Sequence, residues 1–424
     1  MLKLRGLTGI IAIAIILSFL LPTVMVGATT SMSVENILML LAGLPLIIIL
    51  WNKINVFPTG INMARIALIL IVFLLVSDFL SQRVFGAGSI GMSLFLVPLK
   101  VAVFLYFSFI GYYKIVTLKR SVRIINIVFI VSLVFGVLQF FNIGNIGDFA
   151  LKYYGLSEAQ ESNFLKYDRV FGTSGVIIGW SGICLIIFYY FYFIVESKSL
   201  RTIGVALSSL NIIMAGSRSG IIALIVSFII IQMYRAFYIE RSSRSSIHIL
   251  AYSSIFFLGG YIFLDLYLPE QLDFLRNRFA SAEESITSTA RGAQFSYMMQ
   301  VMNRDPFYYV FGVGPGTIRA SPVRFLEIEP AHIIVSFGIV GAIIHYSLII
   351  LLLKDIFRLR TVSHQYFLFL LAITVSSLIF SFGYYFLYDR NTGLVFWWIS
   401  GLIMGNMYRY KIDSRSVQIN QNLG

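Results

Sequence analysis

Apolar runs of roughly twenty residues recur along most of the chain, separated by short polar breaks. A helix that crosses the hydrocarbon core of a bilayer needs about 20 mostly apolar residues. On that measure the pattern predicts spans near 7–27, 35–51, 61–80, 90–113, 121–143, 174–196, 200–215, 219–236, 246–266, 331–353, 364–388 and 391–409. The expected fold is therefore all-α, a polytopic membrane protein of about 12 transmembrane helices. Two polar connections are longer than the rest, 144–173 and 267–330. The organisation that follows is membrane helices over 1–266, a polar loop with amphipathic helices over 267–330, membrane helices over 331–409 and a tail over 410–424. Residues 1–27 begin like a secretory signal, with Lys3 and Arg5 ahead of an apolar stretch. That stretch exceeds a usual signal's apolar core, so it is read as a retained first helix.

Composition agrees with this class. Of 424 residues, 58% are hydrophobic and 12% charged, and mean hydropathy is +0.87. A soluble domain carries about 25% charged residues. The net charge of +13 would fit a nucleic-acid binder, but the basic residues lie in short loops between apolar runs, as topology signals do. With one cysteine, Cys184, no intrachain disulfide can form.

Positive charge orients the spans, because cytoplasmic loops carry the excess of Lys and Arg. With the N-terminus inside, the inner loops and termini hold 18 basic residues against four acids, Glu196, Glu240, Asp355 and Asp413. Both termini are then cytoplasmic, and 267–330 lies outside the cytoplasmic membrane. That loop ends in GVGPGTIRASPVRFLEIEPAH, residues 312–332. Its glycines suggest a phosphate loop, yet no Lys-Ser or Lys-Thr follows Gly316 as a nucleotide-binding loop requires. Any phosphate recognised there arrives on a lipid or sugar carrier.

Twelve basic residues fall on the outer side despite the positive-inside tendency, and ten of them are Arg. The planar Arg fork binds phosphate or carboxylate oxygens in pairs, whereas Lys acts as a point charge. For Arg83, Arg276, Arg278 and Arg304 we favour headgroup contact or local pairing. Arg218, in MAGSRSG between two apolar helices, has almost no loop through which to escape; a charge so placed faces a wet cavity or a partner. Arg291 shares a helical stripe with Phe295, Met298 and Met302, so it lies on the face that packs inward. Arg169, in YDRVFGTSG, either pairs with Asp168 or serves the site. Arg319 and Arg324 join Gly312, Gly314 and Gly316 as candidate substrate-binding positions. His332 opens a span directly after Pro330 and Ala331; it is an interfacial histidine or a base, since imidazole suits proton transfer near neutrality. No metal site is expected: His248 and His364 are on the inner side, and His345 is thirteen residues along the helix, about 20 Å away. Lys100, beside Pro98 inside a span, either lines a cavity or hydrogen-bonds a helix end.

The segments AGSRSGIIALIVSF, TARGAQFSYMMQVMNRDPFYYVFGVGPG and EPAHIIVSFGIVGAIIHYSLIILLL together resemble the O-antigen ligase and polymerase superfamily. The similarity covers about 215–353, and RVFGTSG adds to it. One departure is Ile333, where many members have Asn after the histidine. The resemblance implies a GT-C-like, metal-independent glycosyltransferase without cofactor. It would act on undecaprenyl-pyrophosphate-linked glycans at the outer face of the cytoplasmic membrane. Arg218, Arg291 and His332 fall on the family's catalytic positions. Donor and acceptor would both be lipid-linked oligosaccharides, with membrane lipids, a chain-length regulator and a flippase as further partners and no nucleic acid. Members that transfer glycan to protein tend to carry a large outer C-terminal domain, and the short tail KIDSRSVQINQNLG argues against that expectation. A surface-polysaccharide polymerase is preferred over a ligase that transfers glycan to lipid A-core, because such polymerases are commoner and more divergent. From another class, a lipid-linked glycan transporter is the competing expectation. Transporters usually carry two related halves, and the long outer loop occurs once here.

Overall fold

A computed structural model describes residues 2–21, 24–25, 31–32, 34–39, 41, 58–85, 96–154, 169–240, 259, 262, 265–266, 269–280, 296–297, 299–320, 326–387, 389 and 391–422. These residues are almost wholly helical. The main helices are α1 (Leu2–Ser18), α2 (Val34–Leu38), α3 (Pro58–Phe85), α4 (Leu96–Tyr112), α5 (Leu118–Phe140), α6 (Ile146–Tyr153) and α7 (Ile177–Phe193). They continue as α8 (Lys198–Met214), α9 (Arg218–Tyr234), α10 (Pro269–Ala280), α11 (Pro306–Phe311), α12 (Pro315–Ala320), α13 (Glu329–Arg358), α14 (His364–Ser381) and α15 (Thr392–Asn422). A two-residue antiparallel pair, Val24–Met25 with Ser31–Met32, follows α1.

Five of these helices contain stretches long and apolar enough to cross a membrane, within 61–79, 118–140, 218–239, 329–358 and 364–381. Shorter apolar helices lie at 6–18, 97–112 and 177–193. The first helix thus ends at Ser18, well short of the expected 27, and the predicted span 246–266 lies almost entirely outside the described residues, as does most of 35–51. Lipid-facing character is visible in the side chains. In α5, Ile125, Val128, Phe129, Ser132, Leu133 and Gly136 are buried on one stripe. Ile127, Val131 and Val134 are exposed on the other. An exposed apolar stripe opposite a buried one is stable only where the surroundings are themselves apolar.

α7 is buried on nearly every side: 15 of its 17 residues are covered by neighbouring helices. It forms the axis of the bundle, packed by α8, α14, α15 and α9. Lipid is as apolar as Leu, so helices in a bilayer associate by close packing of small residues. Gly401 and Gly405 of α15 supply this: a side chain at either would strike the Phe104 or Ser108 carbonyl of α4. Phe104 and Trp397 close the seam edge to face, 5.7 Å between ring centres.

α13 is two helical segments joined at Gly338, whose φ of 65° and ψ of −171° leave the helical region. Against this break lies the glycine stretch that begins at Gly312. Val313 N–H donates to the Val335 carbonyl and Gly314 N–H to the Ser336 carbonyl, both at 2.9 Å. Gly312 and Gly314 have φ of 77° and 79°. A side chain at Gly312 would strike the Ser336–Phe337 backbone, and one at Gly338 would strike Val310 and Phe311. Backbone touches backbone here, with no room for a β-carbon on either strand of the contact. Beneath it Val301, Met302, Val313, Leu326 and Val335 form a small separate core.

Candidate functional site

The segment AGSRSG is built from helix punctuation. Gly216, at φ 58°, ends α8 in the left-handed conformation, and its N–H donates to the Ile213 carbonyl at 2.8 Å. Ser217 caps α9, its hydroxyl accepting from Gly220 N–H at 3.3 Å. Arg218 is the first residue of α9. Gly220 is required because the Ser181 hydroxyl of α7 occupies the space a β-carbon would need. Capping and close packing thus fix Arg218, half-buried, at a helix start.

Arg169 is buried, and its guanidinium donates to the carbonyls of Ala215 and Gly216 at 2.9 and 3.4 Å. A cation at the carbonyl end of α8 is favourably placed. Arg169 therefore braces the segment that carries Arg218; Asp168 lies outside the described residues.

His332 stands in the first turn of α13. Its Nε2 is 3.5 Å from the Ser336 hydroxyl, and its ring centre is 5.0 Å from that of Tyr385. Glu329, one turn earlier and 1% exposed, accepts from Phe386 and Leu387 N–H at 3.1 and 3.2 Å. Lys100, fully buried, donates to the Leu387 and Asp389 carbonyls at 2.5 and 2.6 Å. Asp389 caps α15 through the N–H groups of Asn391 and Thr392. Asn391 donates in turn to the Ser174 carbonyl at 2.6 Å, within RVFGTSG.

The connection between α14 and α15 is thus the piece that gathers the site. At its start Gly383 packs against Ser219, next to Arg218. In its middle Tyr385 meets His332, and at its end Asn391 meets the loop that holds Arg169. Arg169, Arg218 and His332 are thereby brought to one end of the bundle. Of Lys100's two readings, the hydrogen bond to backbone at a helix end is the one observed.

The other expected positions divide. Gly312 and Gly314 form the contact with the break in α13, and Gly316 lies in the first turn of α12. Arg319 falls on α12, while Arg291 and Arg324 lie outside the described residues. Met302, from the stripe assigned to Arg291, is buried. Arg83 lies over the Phe79 ring and Arg276 pairs with Asp273 at 3.1 Å, both local arrangements. Among the described residues no three His, Cys, Asp or Glu side chains come together as metal ligands would.

Sequence reasoning passed over Glu329, Tyr385 and Asp389. The signal was faint: 380–393, FSFGYYFLYDRNTG, breaks two apolar runs with a glycine, paired tyrosines and an Asp-Arg-Asn cluster, yet reads as the end of one span and the start of the next. The chain matches no protein-family model, and no curated protein matches it.

Proposed function

We propose that this chain is a metal-independent glycosyltransferase of the cytoplasmic membrane that joins undecaprenyl-pyrophosphate-linked oligosaccharide units into a surface polysaccharide. In this reading about 12 helices form a GT-C-like body, both termini are cytoplasmic, and the site lies on the outer face. The acceptor hydroxyl oxygen bonds to the donor's anomeric carbon, and its proton passes to His332. The bond from that carbon to the pyrophosphate oxygen breaks, and the electron pair leaves with the carrier. Arg218 and Arg291 face the leaving group, where negative charge grows, and so favour the transition state over the ground state. Arg319 and Arg324 serve the incoming lipid-linked chains, with a flippase and a chain-length regulator as partners in the membrane.

The observation that carries this reading is the 382–391 connection, which packs Gly383 beside Arg218 and Tyr385 on His332. It links two of the three residues that the family resemblance assigns to catalysis, although they lie on separate helices more than a hundred residues apart. A second reading draws on the break in α13, since interrupted helices also form transporter sites. Purified protein in liposomes, supplied with lipid-linked repeat units, separates the two. Chain growth on the lipid carrier supports the polymerase; movement of the unit between leaflets without growth supports the transporter. Transfer of a finished chain to lipid A-core, with no growth, would make the chain a ligase. Orientation is tested by a cysteine at Ser285, which should react with an impermeant reagent from outside; reaction only after permeabilisation overturns the topology.

A further inference from the structure

Lys100 and Glu329 are both buried to 1% exposure or less, in the part of the bundle that carries Arg218 and His332. A buried charge ordinarily finds an opposite charge or a ligand. Here the two opposite charges lie within electrostatic reach of each other, and both also hydrogen-bond the backbone of one short segment. Leu387 is gripped twice, its N–H by Glu329 and its carbonyl by Lys100. Phe386 N–H and the Asp389 carbonyl complete the grip. A side chain at Gly393 would press on the Lys100 ammonium, so the start of α15 is fitted to this lysine as well.

Tyr385 immediately precedes the gripped residues. Glu329 and His332 are three residues apart on α13 and share a face. The Glu329 carboxylate therefore fixes the turn relative to the same helical turn that bears the histidine. We propose that Lys100 and Glu329 are positioning residues that clamp the 386–389 turn and thereby hold the Tyr385 ring against His332, setting the orientation of the imidazole. The clamp joins α4 and α13 through the turn that both of its side chains hold. Its consequence for transfer rests on the reading of His332 as the base; the clamp itself does not.

The test therefore uses a readout independent of activity. Full-length protein in detergent is treated with diethyl pyrocarbonate, and acylation of each histidine is followed by mass spectrometry of its peptides. In Glu329→Gln and Lys100→Met, His332 should acylate about tenfold faster or more, the factor that loss of a charge-assisted hydrogen bond predicts. His364, at the opposite end of the bundle, should keep its wild-type rate. Lys100→Arg, which retains a cation and several donors, should restore part of the protection. Tyr385→Ala provides the fully released reference. If Lys100→Met does not fold, Glu329→Gln preserves shape and one acceptor and decides alone. Wild-type acylation of His332 in folded Glu329→Gln, with fast acylation in Tyr385→Ala, overturns the clamp. In the polymer assay the same variants should lower kcat while donor KM holds. Absence of polymer formation by the wild type would overturn the function proposed above and leave the acylation result to judge the clamp.

Discussion

The two ends of the bundle use charge in opposite ways. At the end bearing His332, Lys100, Arg169 and Glu329 are buried and directed at backbone atoms of loops. At the other end Lys114 and Arg409 both meet Asp413 at 3.0 Å, with side chains 39–54% exposed. The exposed group satisfies charge with charge in solvent, where an ion pair contributes little. The buried group cannot relax into water, so each charge has to fix the segment it touches. At the other end charged side chains that reach backbone, such as Arg201 on the Val195 carbonyl and Lys411 on that of Arg358, do so from partly or fully exposed positions. That contrast is what marks the first end as a built site.

The largest expected effect comes from the glycine contact that anchors the 312–314 segment on α13. Gly338→Val would impose a β-branched residue on φ 65° and drive its side chain into Val310 and Phe311. Strain of about 1–3 kcal/mol from the backbone alone, with the clash added, should prevent the loop from docking. The variant should insert in the membrane yet lose its folded form in detergent, seen as early elution and rapid proteolysis within 300–330. Gly6→Ala, on α1 with open space where the β-carbon would stand, is the milder comparison. Equal stability of wild type and Gly338→Val would remove the interrupted helix from the account.

His332→Ala comes next. A positioned base contributes roughly 10²–10⁴-fold in rate, so polymer formation should fall by that factor while donor affinity stays near wild type. Lost donor binding with normal turnover at saturation would assign the imidazole to the pyrophosphate. Unchanged behaviour in both assays would make it an interfacial histidine.

Arg218→Lys should have a smaller effect, about 1.5–3 kcal/mol for the lost charge-assisted contacts, and should lower kcat as well as donor affinity. Lysine keeps the charge and loses the paired fork. Arg291→Lys sharpens the comparison, because it tests whether the 267–330 loop acts on the same leaving group. Near-normal chain length in both variants would mean that these arginines only contact headgroups.

How much of this could be read from the sequence depends on where each residue's partner lies. Apolar runs predicted the helical class, because burial in lipid is a property of the run itself. AGSRSG was legible as a turn, since Gly216, Ser217 and Arg218 take their roles from adjacent residues. The glycines at 312 and 314 signalled unusual backbone angles, but the break they dock into was hidden. Gly338 sits in an unbroken apolar stretch, glycine is common in membrane helices, and the backbone it meets, at Val310 and Phe311, is 27 or 28 residues away. For Lys100 the hydrogen bond to a helix end was one of two readings, without its location. Glu329 and Arg169 were illegible, because each bonds to backbone atoms of a distant segment, and a backbone group has no sequence signature. Arg169's nearest charge in sequence, Asp168, was the natural guess and gave no hint of the α8 end it holds.

The smallest effect is expected at the opposite end, and it completes the contrast. Asp413 is held below the ordinary carboxylate range, first by the hydrogen bond from Lys114 and then by Arg409. A depressed value means that the carboxylate contributes stability above its unfolded value, near 4. That contribution fades as pH falls through the lower folded value. Asp413→Asn should therefore leave stability at neutral pH close to wild type, because an exposed pair is screened by water and salt. Thermal melts of wild type and Asp413→Asn in detergent should differ little at pH 7 and converge as pH falls from about 4 through the lower folded value. Glu329→Gln, measured alongside, should lower the melting temperature at pH 7 by clearly more. A loss in Asp413→Asn as large as that in Glu329→Gln would mean that the surface group fastens its end as firmly as the buried clamp fastens the other, and the two ends would no longer differ in kind.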